Sequence, residues 1–309
     1  MSDVVRFDDV HVLFRSRVRA PVWALRGFTL GVPEGAVMGL LGPNGAGKTT
    51  CISCILALLE PHRGSAYLWG EPALAARPTP ERRCGALLED TRLPPFLPVS
   101  AALRTVCALR GVAQPARELE RVHALCGTGD LATRTVATLS KGQARKVGLA
   151  AAMIADPPLL ILDEPSAGLD AEARVEFDAL LRRLKNGKRT LLIASHLLGD
   201  VEATCSHIAV VREGRVLLTG KAEDLLAEAR RGRSSDVHVD AAAGAQLGTL
   251  GIGFETSRYP GLVALRTELA DEALFAALAW ARIVPRRVEP KVSVLSVYLD
   301  VTRREGEAG

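Results

Sequence analysis

Long hydrophobic runs are missing from this 309-residue sequence. The longest apolar stretch, Val147 to Leu162, is broken by Asp156-Pro157-Pro158 and falls short of the roughly 20 apolar residues that a helical membrane span needs. Near Met1 there is no apolar core of the kind a secretory leader carries, because Met1-Ser-Asp3 leads into Phe7-Asp8-Asp9. Both absences point to a chain that is soluble by itself and cytoplasmic. A dominant charge is missing too. Lys and Arg total 39 against 35 acidic residues, a balance that argues against nucleic acid as a partner. The basic clusters around Arg15–Arg19, Arg230–Arg233 and Arg286-Arg287 are short and read as solvated surface. The six cysteines lack the paired spacing of a zinc site. Cys51 and Cys54 fall three apart among Ile52, Ile55 and Leu58, so they read as small core residues of a helix. No internal repeat is visible.

What is present is organised around Gly42 to Thr50, Gly-Pro-Asn-Gly-Ala-Gly-Lys-Thr-Thr, which fits the phosphate-loop pattern Gly-x-x-x-x-Gly-Lys-Ser/Thr. The apolar run Ala36 to Leu41 reads as a buried strand before it, and Thr49 to Leu59 as a helix after it. Gly42, Gly45 and Gly47 let the backbone turn tightly and bring N–H groups up to a phosphate, while the helix points its positive end the same way. The stretch Asn44, Gly45, Ala46, Gly47, Lys48, Thr49, Thr50 is thus the candidate nucleotide-binding segment, with Lys48 on the β- and γ-phosphates and the Thr49 hydroxyl on Mg²⁺.

Residues 4–32 alternate as two or three strands around the insert 15–20. Short strands are expected at 63–70 and 84–89, a break at Leu93-Pro-Pro-Phe-Leu-Pro98, and helix over 100–127. Then follow helix 141–155, strand 159–163, helix 171–185, strand 190–194 and a hairpin of 208–212 with 215–219, turned at Glu213-Gly214. Strands alternating with helices around a phosphate loop predict an α/β fold with a mainly parallel sheet and ligand at the carboxyl ends of its strands. Composition changes near residue 230, giving a first domain 1–230 and a small C-terminal α+β domain 231–309, with strands at 236–240, 250–256 and 262–267 and a helix at 271–282.

Leu159-Leu-Ile-Leu162 runs into Asp163-Glu164, so a buried strand delivers two carboxylates to its end, one placed for Mg²⁺ and one to orient or deprotonate an attacking water. Leu139-Ser140-Lys141-Gly142-Gln143 opens the preceding helix, where Ser140 serves as an N-cap or a phosphate cradle. Downstream stand Ser166-Ala-Gly168-Leu169-Asp170 and Ser195-His196. With these, residues 4–225 closely resemble the ATP-binding subunits of ABC transporters in motif order and spacing. The resemblance implies a phosphate-loop NTPase fold of the ABC type: a mainly parallel core sheet, an antiparallel β subdomain and a helical subdomain. It implies ATP and Mg²⁺, and two chains paired head to tail, each ATP held between one chain's Lys48 loop and the other's Ser140, Gly142, Gln143 and Asp170. Lys48, Glu164 and His196 are the implied catalytic residues, Glu164 as general base and His196 as the γ-phosphate contact. Phe14 is the candidate for stacking on adenine, with Trp23 as its rival.

Two positions depart from the family pattern. Lys141 stands where glycine is usual, a form familiar from the branch that serves ABC-2-type membrane permeases. Glu89 stands where glutamine is usual in the Q-loop and joins Thr49 and Asp163 as a candidate metal ligand. The implied function is an ATPase driving a separate ABC-2-like permease, most naturally an exporter, from the inner face of the membrane. The alternative is a soluble nucleotide-switched clamp, but the single cassette, with only about ninety residues between the phosphate loop and the Leu139–Gln143 signature of the family, lacks the second cassette or coiled coil that such clamps carry. The Leu93–Val112 segment is expected to touch the permease, and the tail 292–302 resembles the end of a C-terminal extension.

Overall fold

The computed structural model describes residues 3–15, 20–75, 84–185, 189–196, 204–225, 236–266 and 271–289. The insert residues 16–19, the cluster 230–233 and the tail 292–302 lie outside them. The chain divides into two compact units, Met1–Lys221 and Ala222–Gly309. This division falls earlier than residue 230, because the last strand of the first unit ends at Lys221, paired with His207, and the shift in composition lies beyond that sheet edge.

The described residues of the first unit form two sheets. An antiparallel sheet joins β1 (Asp3–Phe14), β2 (Val22–Pro33), β4 (Arg63–Leu68) and β5 (Glu71–Pro72) in the order β2-β1-β4-β5. The core sheet holds β3 (Val37–Leu41), β6 (Cys84–Leu87), β7 (Leu159–Asp163), β8 (Thr190–Ser195), β9 (His207–Arg212) and β10 (Arg215–Lys221) in the order β10-β9-β3-β8-β7-β6. All its pairings are parallel except the β9–β10 hairpin. Every residue of β3, β7 and β8 is buried, which is why these strands read as unbroken apolar runs rather than alternating ones. Between the sheets, Phe7 and Phe28 meet edge to face at 5.2 Å among Met38, Leu40, Ile52 and Ile55.

Among the described residues the unit also has the α-helices α1 (Lys48–Ile55), α2 (Val99–Leu109), α3 (Pro115–Cys126), α4 (Lys141–Ala152) and α5 (Ala171–Leu184). The single helix expected over 100–127 is two. Gly111, at φ +65°, ends the first, and Pro115 starts the second at its first turn, where a missing N–H costs nothing. The helix after the phosphate loop is also shorter than expected, since Ala57 turns to φ +55°. Cys51 and Cys54 are buried on α1, and burial pushes the Cys54 thiol up to about 11, so both behave as inert core residues.

The second unit is an antiparallel sheet, β12-β13-β11-β14, of β11 (Asp236–Asp240), β12 (Gly253–Thr256), β13 (Leu262–Arg266) and β14 (Arg287–Glu289), with α6 (Gly244–Thr249) and α7 (Asp271–Trp280). The short α6 and β14 had no periodic signal. Val237, Val239, Leu247, Leu265, Leu274 and Leu278 form its own core, while Trp280 stays exposed. Among the described residues no helix is long and apolar enough to cross a membrane.

Candidate active site

The site is made by strand ends that stop level with one another. In the parallel ladders Leu41 lies opposite Ser195, Asp163 opposite Ala194, and Leu87 opposite Leu162. The residues that follow therefore gather at one edge: the phosphate loop after β3, Glu89 after β6, Glu164 after β7 and His196 after β8.

The loop geometry explains its glycines. Gly47 caps α1 at φ +107°, and a Cβ there would lie 2.6 Å from the Ala24 carbonyl. Lys48 folds back over the loop, its Nζ donating to the Gly42 carbonyl at 2.7 Å and the Pro43 carbonyl at 3.2 Å. The same Nζ lies 3.3 Å from Glu164 Oε1. Both partners are nearly fully buried, so each charge is compensated where neither would be tolerated alone. The other Glu164 oxygen, Oε2, is 2.7 Å from His196 Nδ1. An ionised carboxylate only accepts, so Nδ1 carries the proton of that contact. Lys48, Glu164 and His196 thus form one continuous polar chain.

Glu164 itself adopts φ +47°, a left-handed conformation costing about 1–2 kcal/mol for a residue with a side chain. Its neighbour Asp163 is completely buried with neither oxygen in a hydrogen bond. Burial raises the Asp163 pKa; the facing Thr49 hydroxyl opposes this, short of full hydrogen-bond geometry, while Glu164 and Glu89 add to it.

A cavity of about 390 Å³ opens over the loop, lined by Phe14, Val22, Ala24, the stretch Asn44 to Thr50, Glu89 and Glu164. Glu89 faces it and Asp90 does not; Asp90 lines a neighbouring cleft with Lys141, Arg145 and Gly168. Val22 and Ala24 had no motif to announce them and enter only because β2 passes over the loop. Trp23 is absent from the lining; its ring meets His11 edge on at 6.0 Å. Phe14→Ala is accordingly expected to weaken nucleotide binding by about tenfold, the loss of one base–aromatic stack, and Trp23→Ala by less than about twofold. Titration with a fluorescent adenine nucleotide checks this, and the opposite ranking would exchange the two residues.

The signature residues are elsewhere. Ser140 caps α4 in a reciprocal box with Gln143, the Gln143 N–H donating to Ser140 Oγ at 3.2 Å and the Ser140 N–H to Gln143 Oε1 at 3.1 Å. Asp170 caps α5, accepting from the Ala173 N–H at 2.8 Å. None of Ser140, Gly142, Gln143 or Asp170 lines the Lys48 cavity. Lys141 extends across the loop to Gly168, where its ammonium occupies the space a side chain would need.

Residues 25–167 match the ABC transporter family. The Nod factor export ATP-binding protein I of Cupriavidus metallidurans is 34% identical over 229 residues, which cover 73% of this chain and 74% of that protein. The chain belongs to the ATP-binding subunits of ABC transporters. It is an ATP-binding protein and an ATP hydrolase of that family. The daunorubicin/doxorubicin resistance ATP-binding protein DrrA of Streptomyces peucetius is 34% identical over 65% of this chain and 62% of its own. Among solved structures, an ATP-binding subunit of an ABC transporter superposes with a TM-score of 0.62 at 27% identity, covering 73% of this chain and 92% of that one. A bacterial ABC transporter cassette solved as a dimer has the same fold, with a TM-score of 0.63 at 19% identity, covering 70% and 98%. The ABC ATPase fold of parallel core sheet, antiparallel β sheet and helices is therefore the one expected from the resemblance.

Proposed function

We propose that this ABC subunit hydrolyses ATP as half of a head-to-tail pair, most simply with a second copy of itself, and that the pair drives a separate ABC-2-type permease as an exporter. One observation carries the pairing: Lys48, Thr49, Glu89 and Glu164 share a cavity with Phe14, whereas Ser140, Gly142, Gln143 and Asp170 line none of it. The signature helix start is thereby left for a nucleotide held on another chain. Export is supported by relatives named for Nod factor export and for drug resistance.

In this reading Phe14 stacks on adenine, and the backbone N–H groups of Asn44 to Thr50 hold the phosphates. Lys48 supplies a positive charge at the β- and γ-phosphates. Glu164 takes a proton from the attacking water through Oε1, the oxygen that His196 leaves unheld, as the water oxygen bonds to the γ-phosphorus and ADP departs. His196 keeps the carboxylate in line. Asp163 fits a hard cation: a buried carboxylate with two unpartnered oxygens, facing the Thr49 hydroxyl with Glu89 at the rim. Mg²⁺ bound there with the nucleotide supplies a Lewis acid for the phosphate charge. The second unit contains none of these residues and serves dimer stability or regulation.

The permease contact is assigned to Leu93–Val112, which places the subunit at the cytoplasmic membrane face. Phe96, in the loop before α2, is 76% exposed and Leu109, the last residue of α2, 81% exposed, and a groove of about 430 Å³ on α2 is lined by Ser100, Ala101, Arg104, Thr105 and Ala108. The Phe96 loop cannot turn inward, because its backbone is stitched to the neighbouring segment through the Pro95 and Leu97 carbonyls, which accept from Ala137 and Val136. Purification from membranes with and without detergent is expected to yield a multi-span partner, and a crosslinker at position 96 to join it. Recovery of the subunit free of any membrane protein, with only intra-chain crosslinks, sinks the transport reading.

A further inference from the structure

We propose that Arg145 is a positioning residue for Glu164: its guanidinium bridges the ends of β6 and β7 where their ladder stops, and so holds the backbone of the base for hydrolysis. This rests on Glu164 being the base.

The last ladder pair between these strands is Leu87 with Leu162. Beyond it the strands run into the Glu89 loop and the Asp163-Glu164 turn, and the ladder register goes no further. Arg145 takes over there. Its Nη1 donates to the Leu88 carbonyl at 2.9 Å and its Nη2 to the Glu164 carbonyl at 3.1 Å. From the other side, the Glu164 N–H donates to the Ala194 carbonyl of β8 at 2.9 Å. The Glu164 residue, at φ +47°, is thus pinned through both of its backbone polar groups. A strained conformation persists only where its surroundings over-determine it, and Arg145 adds a second donor to a carbonyl that also accepts from the Ala167 N–H at 3.1 Å.

Arg145 reaches this point because α4 lies unusually close to β6. A Cβ at Gly85 would collide with the Ala152 carbonyl, and one at Gly148 would come within 2.8 Å of the Leu87 side chain. On the helix, Arg145 is one turn before Leu149 and two before Ala152, on the buried stripe, and only 7% of its surface is exposed. A buried arginine there is costly unless its charge and donors are used. Burial lowers its pKa, and the carboxylates of Glu89, Asp163, Asp90 and Glu164 push it back up. The planar fork also suits two separate carbonyls, which a single ammonium cannot span in the same way. The helix that presents Ser140 at its first turn therefore fastens, one turn later, onto the catalytic strand end.

The test is a mutant cycle on the full chain, reading kcat, KM and nucleotide affinity for wild type, Arg145→Gln, Arg145→Lys, Glu164→Gln and Arg145→Gln/Glu164→Gln. Arg145→Gln is expected to lower kcat by roughly 10- to 100-fold, the scale of a small misplacement of a catalytic group. KM and nucleotide Kd should stay within about threefold, and Arg145→Lys should recover part of the loss. In the Glu164→Gln background the same change should cost less than about twofold, since there is no longer a base to misplace. An undiminished kcat in Arg145→Gln, an equal loss in both backgrounds, or a parallel fall in nucleotide affinity overturns the proposal. Should Arg145→Gln fail to fold, Arg145→Lys enters the same cycle. Full turnover in Glu164→Gln is a different result, one that removes the base assignment itself.

Discussion

Glu164→Gln is expected to lower ATP turnover by about 10²- to 10³-fold while leaving ATP binding intact and trapping a dimer. The substitution keeps the shape of the side chain and its hydrogen bond to His196, but it removes the carboxylate proposed as the proton acceptor. Lys48 loses its charged partner but keeps its contacts to the Gly42 and Pro43 carbonyls, which hold it at the phosphate loop. Loss of the proton acceptor without loss of binding should hold ATP between two chains. Size-exclusion chromatography with ATP and Mg²⁺ reads this directly as a shift to twice the mass. A Glu164→Gln protein that binds ATP and remains monomeric at high concentration would falsify the shared-site reading, whatever its turnover.

Lys48→Ala should be more damaging and in a different way. Among the described residues the ammonium is the only side-chain cation lining the cavity, and its removal is expected to take turnover below detection and to weaken nucleotide binding by about 10²-fold. The same change leaves Glu164 as a nearly buried carboxylate without its ion-pair partner. Breaking such a pair costs up to roughly 3–5 kcal/mol when the remaining charge stays unpaired, so the melting temperature without nucleotide should fall in Lys48→Ala. Adding Glu164→Gln to it should restore most of that fall while restoring no activity. Thermal melts of the single and double variants separate the structural part of the loss from the catalytic part. An unchanged melting temperature in Lys48→Ala would mean that the Lys48–Glu164 contact contributes nothing to the resting protein.

Most of the site was legible because its signals are local. A phosphate loop needs glycines and a lysine at set spacing within a few residues, so Gly42 to Thr50 could be named from the sequence. Asp163 and Glu164 follow an apolar run that had to be a buried strand, and Ser140 and Asp170 stand where helices begin. Periodicity misplaces a helix end where the boundary depends on one residue leaving its ordinary conformation. Gly111 splitting 100–127 and Ala57 shortening α1 are such cases. The brief α6 and β14 are too short to show a period and exist only because the second unit packs them.

By itself, then, the amino-acid sequence determined the family and the α/β class and named the candidate site residues, because each is announced by neighbours along the chain. The tertiary structure alone decided which of them meet. The strand order places β3 between β8 and β9 and β7 beside β8, which brings Lys48, Glu164 and His196 into one chain of contacts across 148 residues of sequence, from 48 to 196. It put Phe14 rather than Trp23 over the loop and Glu89 rather than Asp90 on the cavity. It also turned Arg145, an unmarked arginine on an apolar helix stripe, into the link between two strand ends. These are consequences of side chains and carbonyls from distant segments competing for the same few ångströms, and local periodicity carries no record of that competition.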